Sequence, residues 1–248
     1  MRYDLSTATL RVRDIYSIGY DVLCRKGMHM LLIFFVSVVP AAVIETMLNV
    51  HFEVSPLDGT NAAYGLLSTS AAWLLNVIAL IYLLLLTTED LRENDVTALK
   101  LFTVVGRRYV PMLIAYVLFS LTFLVGIVLF IVPGIIVLVL LAFFPAFLVI
   151  ENDGIFRSFG NSIRLVKGHF FHVLGMSLAL IFPVLVVVFL LEAAASNAMS
   201  AFLALLVGNT LSFYYIIMIT VFFLNVRKTW KEAPAEHPQE TATEVTSR

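Results

Sequence analysis

The chain has 248 residues, 60% of them hydrophobic and 13% charged, whereas an ordinary soluble domain carries roughly a quarter charged residues. So few charges cannot cover the surface of a water-soluble protein of this length. With 16 Lys and Arg against 17 Asp and Glu the net charge is -1, and Cys24 is the only cysteine, which removes a basic excess for nucleic acid and a disulfide-stapled secreted domain. A polytopic membrane protein remains, expected as an all-α transmembrane bundle.

In chain order, residues 11–25 set Ile15, Ile18 and Val22 against Arg11, Asp14, Asp21 and Arg25, the pattern of a helix lying in the membrane interface. The first apolar run covers about 28–50 and contains Glu45; the second covers about 62–86. Each is long enough to carry a helix across a hydrocarbon layer of about 30 Å. Asn94 can cap a second interfacial helix, Asp95 to Val105, whose first-turn acid suits the helix dipole.

Tyr109 to Ile150 then contains no Asp, Glu, Lys, Arg or His over 42 residues. Val132-Pro133-Gly134 interrupts it, and Pro-Gly is a strong turn signal, so two spans are expected, 109–132 and 134–150. In 153–167, Ile155, Phe156, Phe159, Ile163 and Val166 recur at helical spacing while Arg157, Asn161, Arg164 and Lys167 face elsewhere, which predicts a third interfacial helix. The last spans fall at about 171–191 and 201–226. Residues 1–231 thus form one six-span membrane domain, and 232–248 have the composition of a disordered cytoplasmic tail.

The cations test this layout. Residues 1–27 hold five, 87–108 four, 151–170 three and the tail from Arg227 four, which accounts for all 16. The connections on the other side, 51–61, the turn at Pro133 and 192–200, hold none. The positive-inside rule therefore makes both termini cytoplasmic. Aligned at their ends, the three interfacial segments place a small residue nine positions before a cation: Ser17 to Lys26, Ala98 to Arg107, Ser158 to Lys167. A threefold repeat of interfacial helix plus hairpin would produce this pattern, and so would topology alone.

Val132-Pro133-Gly134-Ile135-Ile136, Leu140-Leu141-Ala142, Pro145, Leu148-Val149, Gly154-Ile155-Phe156, Ser158, Ser162, Arg164, Leu165 and Asn209-Thr210-Leu211-Ser212 carry a resemblance. Over residues 131–212 the chain resembles the YciC family of bacterial inner-membrane proteins, a multi-pass family of uncharacterised biochemical role. The resemblance implies the inner membrane of a Gram-negative bacterium, and no reaction.

No G-x-S-x-G, H-E-x-x-H, P-loop or dinucleotide-binding motif is present, so neither a catalytic residue nor a cofactor is expected. Glu45 is the one Asp, Glu, Lys or Arg placed inside a span, where a charge is costly, though it lies only about 7–8 Å from the outer boundary. Asn76, Asn209 and Thr210 are candidates for interhelical hydrogen bonds or for a transport path. Arg107, Arg108, Arg164 and Lys167 either set topology or meet lipid headgroups. His29, His169 and His172 lack the further ligands a metal needs, and outer His51, Glu53 and Asp58 read as solvated loop groups. The function expected is therefore a non-enzymatic membrane protein that engages lipids, another membrane protein or its own kind through its interfacial helices. A small transporter or channel with a path near Glu45, Asn76 and Asn209 is the alternative.

Overall fold

A computed structural model describes residues 10–51, 62–195 and 197–232, and among these the chain is all-helical. The expected tail beyond Glu232 and the outer loop with Glu53 and Asp58 lie outside the described residues. Helix α1 (Val12–Arg25) opens with the Asp14 carboxylate accepting the Arg11 N–H at 3.1 Å, which satisfies an otherwise orphaned donor of the first turn. Helices α2 (Gly27–Ile33) and α3 (Val39–His51) are joined through a π-helical turn, Phe34–Val38. There the Val39 N–H reaches back five residues to the Phe34 carbonyl. Pro40 follows at once, and its missing N–H and bulky ring are what regular α-helical spacing cannot accommodate.

Helix α4 (Ala62–Leu91) runs back, and α5 (Ala98–Leu129) returns. The cap is Thr97 rather than Asn94, and residues 98–105 continue into the third span without a break, so the separate helix expected at 95–105 does not form. Nothing in Gly106-Arg107-Arg108 interrupts helical hydrogen bonding; a cation marks a level in the membrane, not the end of a helix.

The turn between α5 and α6 (Ile131–Leu140) also differs from expectation. It falls on Phe130, whose backbone is extended at φ -165°, ψ 151°, and Pro133 sits in the first turn of α6, where a missing N–H costs nothing. The glycine serves close approach instead. A Cβ on Gly134 would stand 2.5 Å from Ile127 Cγ1, and one on Gly126 would stand 3.0 Å from Gly134 Cα. The two arms of the hairpin therefore touch backbone to backbone.

The fourth span breaks at 141–143 before resuming as α7 (Phe144–Ile150), with Pro145 in its first turn. Ser162 of α8 (Ile155–Lys167) clasps the break: its hydroxyl accepts the Phe143 N–H at 3.2 Å and donates to the Leu140 carbonyl at 2.8 Å. Helices α9 (Phe170–Ala194) and α10 (Ala198–Glu232) complete the bundle. Among the described residues six stretches are long and apolar enough to cross a membrane, Gly27–Leu48, Ala72–Leu91, Ala98–Leu129, Ile131–Ile150, Phe170–Ala194 and Met199–Thr229, the makeup of a multi-pass membrane protein.

The core is built at the end where the cations lie. Tyr82, Phe143, Phe222 and Phe223 are wholly buried there, with the Phe143 ring 5.6 Å from Phe222 and 5.5 Å from Phe223. Helix α1 joins this core: Ile15, Ile18 and Val22 are buried, mainly against α10. The Tyr16 hydroxyl donates to Ala179 O at 3.3 Å, and Tyr214 donates to Tyr16 O at 2.8 Å. Burial pushes the Tyr16 phenol up from its usual range.

Candidate functional site

Polar side chains inside the spans donate mostly to backbone carbonyls. Ser37, on the π-helical turn, donates to the Leu75 carbonyl at 2.7 Å. Next to it in sequence, Asn76 donates to the Asn209 carboxamide oxygen at 2.9 Å, while Asn209 donates to Leu205 O at 2.8 Å. This ties α4 to α10 and leaves one buried acceptor, Asn76 Oδ1, without a partner. Thr210 takes no part: it is exposed and donates to Leu206 O of its own helix at 2.7 Å. Glu45 is half-buried on α3, and the acid that bears on it is Glu192 of α9; neither Asn76 nor Asn209 hydrogen-bonds to it.

At the cation-bearing end a second kind of order appears. Asp90, in the last turn of α4, has a side chain only 6% exposed, and it takes Arg25 at 2.5 Å and Lys26 at 3.7 Å. Lys26 also reaches Asp95 at 3.7 Å. The junction of α1 and α2 is thereby pinned to the far end of the following hairpin. Arg227 of α10 pairs likewise with Glu151 after α7. Sequence reasoning missed Asp90 because an acid at the end of a span resembles a loop residue. The available signal was an acid at the same membrane level as Arg25-Lys26.

Helix α8 has three faces, not two. Ser158, Ser162, Leu165 and Val166 are buried against the bundle, while Phe156 (80% exposed) and Ile163 (38% exposed) point outward. Phe156, Ile163 and Lys167 share one line on the helix, and Arg157 and Arg164 form the neighbouring line. The expected single apolar face is therefore divided, one part packed inward and one left outside. Arg157 is held by Asp153 at 3.3 Å. Arg164, Lys167, Arg107 and Arg108 have no acid within ion-pair distance among the described residues. Highly exposed apolar side chains stand near them in the chain: Leu99 (76%) on α5 and Phe171 (83%) at the start of α9.

His29 Nδ1 lies 2.5 Å from the Tyr82 hydroxyl, and His169 and His172 are exposed. Among the described residues no three His, Cys, Asp or Glu side chains gather in a metal-binding cluster.

The family model of DUF7847, a domain of unknown function, matches residues 118–229, a little under half of the chain. That stretch begins within α5 and takes in the broken fourth span, α8, α9 and most of α10. No curated protein and no solved structure matches the chain.

Proposed function

We propose that this is a non-enzymatic protein of a bacterial inner membrane whose cation-bearing face is cytoplasmic and binds anionic lipid headgroups. The observation that carries this reading is that Arg107, Arg108, Arg164 and Lys167 have no acidic partner among the described residues and lie in a region where Phe156, Ile163, Leu99 and Phe171 are turned outward. A helix so equipped rests its apolar line on the acyl boundary and holds its cations at headgroup level, each contributing about 1 kcal/mol near an anionic surface. The distribution of all 16 cations supports the orientation, and the resemblance of residues 131–212 to the YciC family supports the membrane. Three cation-ended segments, two preceded by a packed short helix, are in keeping with a threefold repeat whose middle unit has fused with its span.

The transport alternative draws less support. Asn76 directs its amide donor to Asn209, Asn209 directs its own to Leu205 O, and neither bonds to Glu45, the acid a coupled carrier would need.

The test is reconstitution in nanodiscs of zwitterionic lipid containing increasing phosphatidylglycerol or cardiolipin, with thermal unfolding and retained lipid as readouts. Anionic lipid should raise the melting temperature of the native protein and be enriched around it. Arg164→Glu with Lys167→Glu should remove most of both effects. Equal behaviour of native and variant protein would overturn the reading, and retention of a co-purifying protein instead of lipid would replace it with a partner-binding role.

A further inference from the structure

Beside the break in the fourth span lies a pocket of about 260 Å³ lined by α4, α5, the α6–α7 break, α9 and α10. Its walls are apolar or hydroxyl-bearing throughout, with Leu84, Phe119 and Phe144 among them and no charged residue. Three hydroxyls from three different helices line it: Tyr116, Ser177 and Tyr215. Ser177 Oγ is buried without a hydrogen-bond partner, and among the described residues the Tyr116 and Tyr215 hydroxyls have none either.

Depth makes this unusual. Tyr116 stands eight residues beyond Arg108 and Tyr215 twelve before Arg227, or about 12–18 Å from the charged end at 1.5 Å per residue. That is hydrocarbon territory, where an unsatisfied hydroxyl has no bulk water to turn to. Serine in a helix ordinarily returns its proton to the carbonyl four residues back, as Thr88 does to Leu84 O at 2.8 Å and Ser212 does to Gly208 O at 3.0 Å. Ser177 does not.

We infer that this cavity is a binding site for the ring of an uncharged, membrane-dissolved carbonyl compound, of the isoprenoid quinone class. Three donors without acceptors call for a ligand that brings acceptor oxygens on more than one side. The hydrocarbon tail of a lipid brings none, and an anionic headgroup would find no cation. The volume fits a ring: a cavity of about 150 Å³ accepts benzene, so about 260 Å³ accepts a substituted one. Aromatic walls suit a flat ring as well. The break in the span supplies the room, since a continuous helix would carry its side chains straight through this space.

Trp73 provides the measurement, because its ring packs edge-on against Tyr116 with centroids 5.1 Å apart. The chain has two tryptophans, so Trp230→Phe leaves Trp73 as sole reporter. Decylubiquinone titrated into the purified protein should quench Trp73 saturably, and decylbenzene, which has the ring and tail without carbonyls and does not itself quench, should displace it only with at least about ten-fold weaker affinity. Combining Tyr116→Phe, Ser177→Ala and Tyr215→Phe, which deletes the hydroxyls and little else, should erase that preference. Ala142→Phe should fill the cavity and abolish quenching by decylubiquinone, with an unchanged elution profile and melting curve showing that the protein is intact.

Equal affinity for the two compounds, or an unaltered quinone titration in the hydroxyl-deleted protein, would overturn the inference and leave an apolar void. No saturable quenching by decylubiquinone would overturn it too. Arg164→Glu with Lys167→Glu should leave the titration unchanged, so failure here is distinct from failure of the headgroup reading.

Discussion

Near the cation-bearing end, α4 from Ile81 to Leu91 and α10 from Ile217 to Val226 are buried almost without interruption, and α7 contributes Ala146 to Val149. Toward the opposite end, α5 turns Leu121, Leu124, Val125 and Val128 outward, and α9 does the same with Phe182, Leu185, Phe189 and Leu190. The spans of α5 and α9, which are turned outward, have mean hydropathies of 2.6 and 2.8 against 1.8 for the well-buried α4, so burial does not follow hydropathy. What differs is the means of attachment. The first half holds its helices by a shared aromatic core, by α1 and α8 packed from outside, and by the Asp90 and Glu151 ion pairs. The second has backbone contact at Gly126–Gly134 and one amide pair between Asn76 and Asn209. In hydrocarbon there is no hydrophobic force between helices, so association there rests on close contact and on hydrogen bonds. The densely built half is therefore the rigid frame, and the other presents itself to lipid.

The largest effect should come from breaking the frame. Asp90→Ala removes a buried carboxylate shared by two cations, and breaking a buried pair costs about 3 kcal/mol or more. Unfolding of the detergent-solubilised protein should begin at a much lower temperature, while Asp90→Asn, which keeps an acceptor for Arg25, should recover part of the loss. A loss no larger than that of a surface salt bridge would mean that the aromatic core alone holds this end.

How far the sequence reveals this division can be judged residue by residue. Six spans follow from the need for about twenty apolar residues per crossing, and six helical stretches long and apolar enough for this are found among the described residues. Tertiary partners decide the rest. Pro133-Gly134 announces a change of direction, but the chain turns at Phe130 because Gly134 is needed four residues later to meet Gly126, and no local pattern encodes an opposing backbone. Ser162 looks like one polar position on an amphipathic helix; its work is to bond both strands of a break that becomes visible only when α8 folds back on it. Arg164 and Lys167 were legible as exposed cations because charge has few other places to go. Tyr116, Ser177 and Tyr215 were not legible as a group, since their meeting depends on three helices at once.

The hairpin of the lipid-facing half gives the next effect. Gly134→Val forces a side chain to within about 2.5 Å of Ile127 Cγ1, against backbone at 3.2 Å, and overpacking of this kind costs about 1–3 kcal/mol. Cysteine cross-linking between the outer ends of α5 and α6 should lose efficiency, with the Asp90 end unaffected. Below this comes Ser162→Ala, which strands the Phe143 N–H at the break and should cost about 1–2 kcal/mol. Its diagnostic is faster amide exchange at Phe143 and its neighbours, localised to the junction of the two halves.

The smallest effect separates a pair that merely glues from one that would line a path. Asn76 and Asn209 are bonded at 2.9 Å, and interhelical hydrogen bonds within membranes average about 0.6 kcal/mol by double-mutant cycles. Asn76→Ala, Asn209→Ala and the double variant should accordingly show a coupling of that order in unfolding free energy. A coupling of several times this size would mean that the lipid-facing half has its own polar keystone. A stabilised double variant would point the other way: the amides would then be retained at a cost to stability, as polar groups lining a path are.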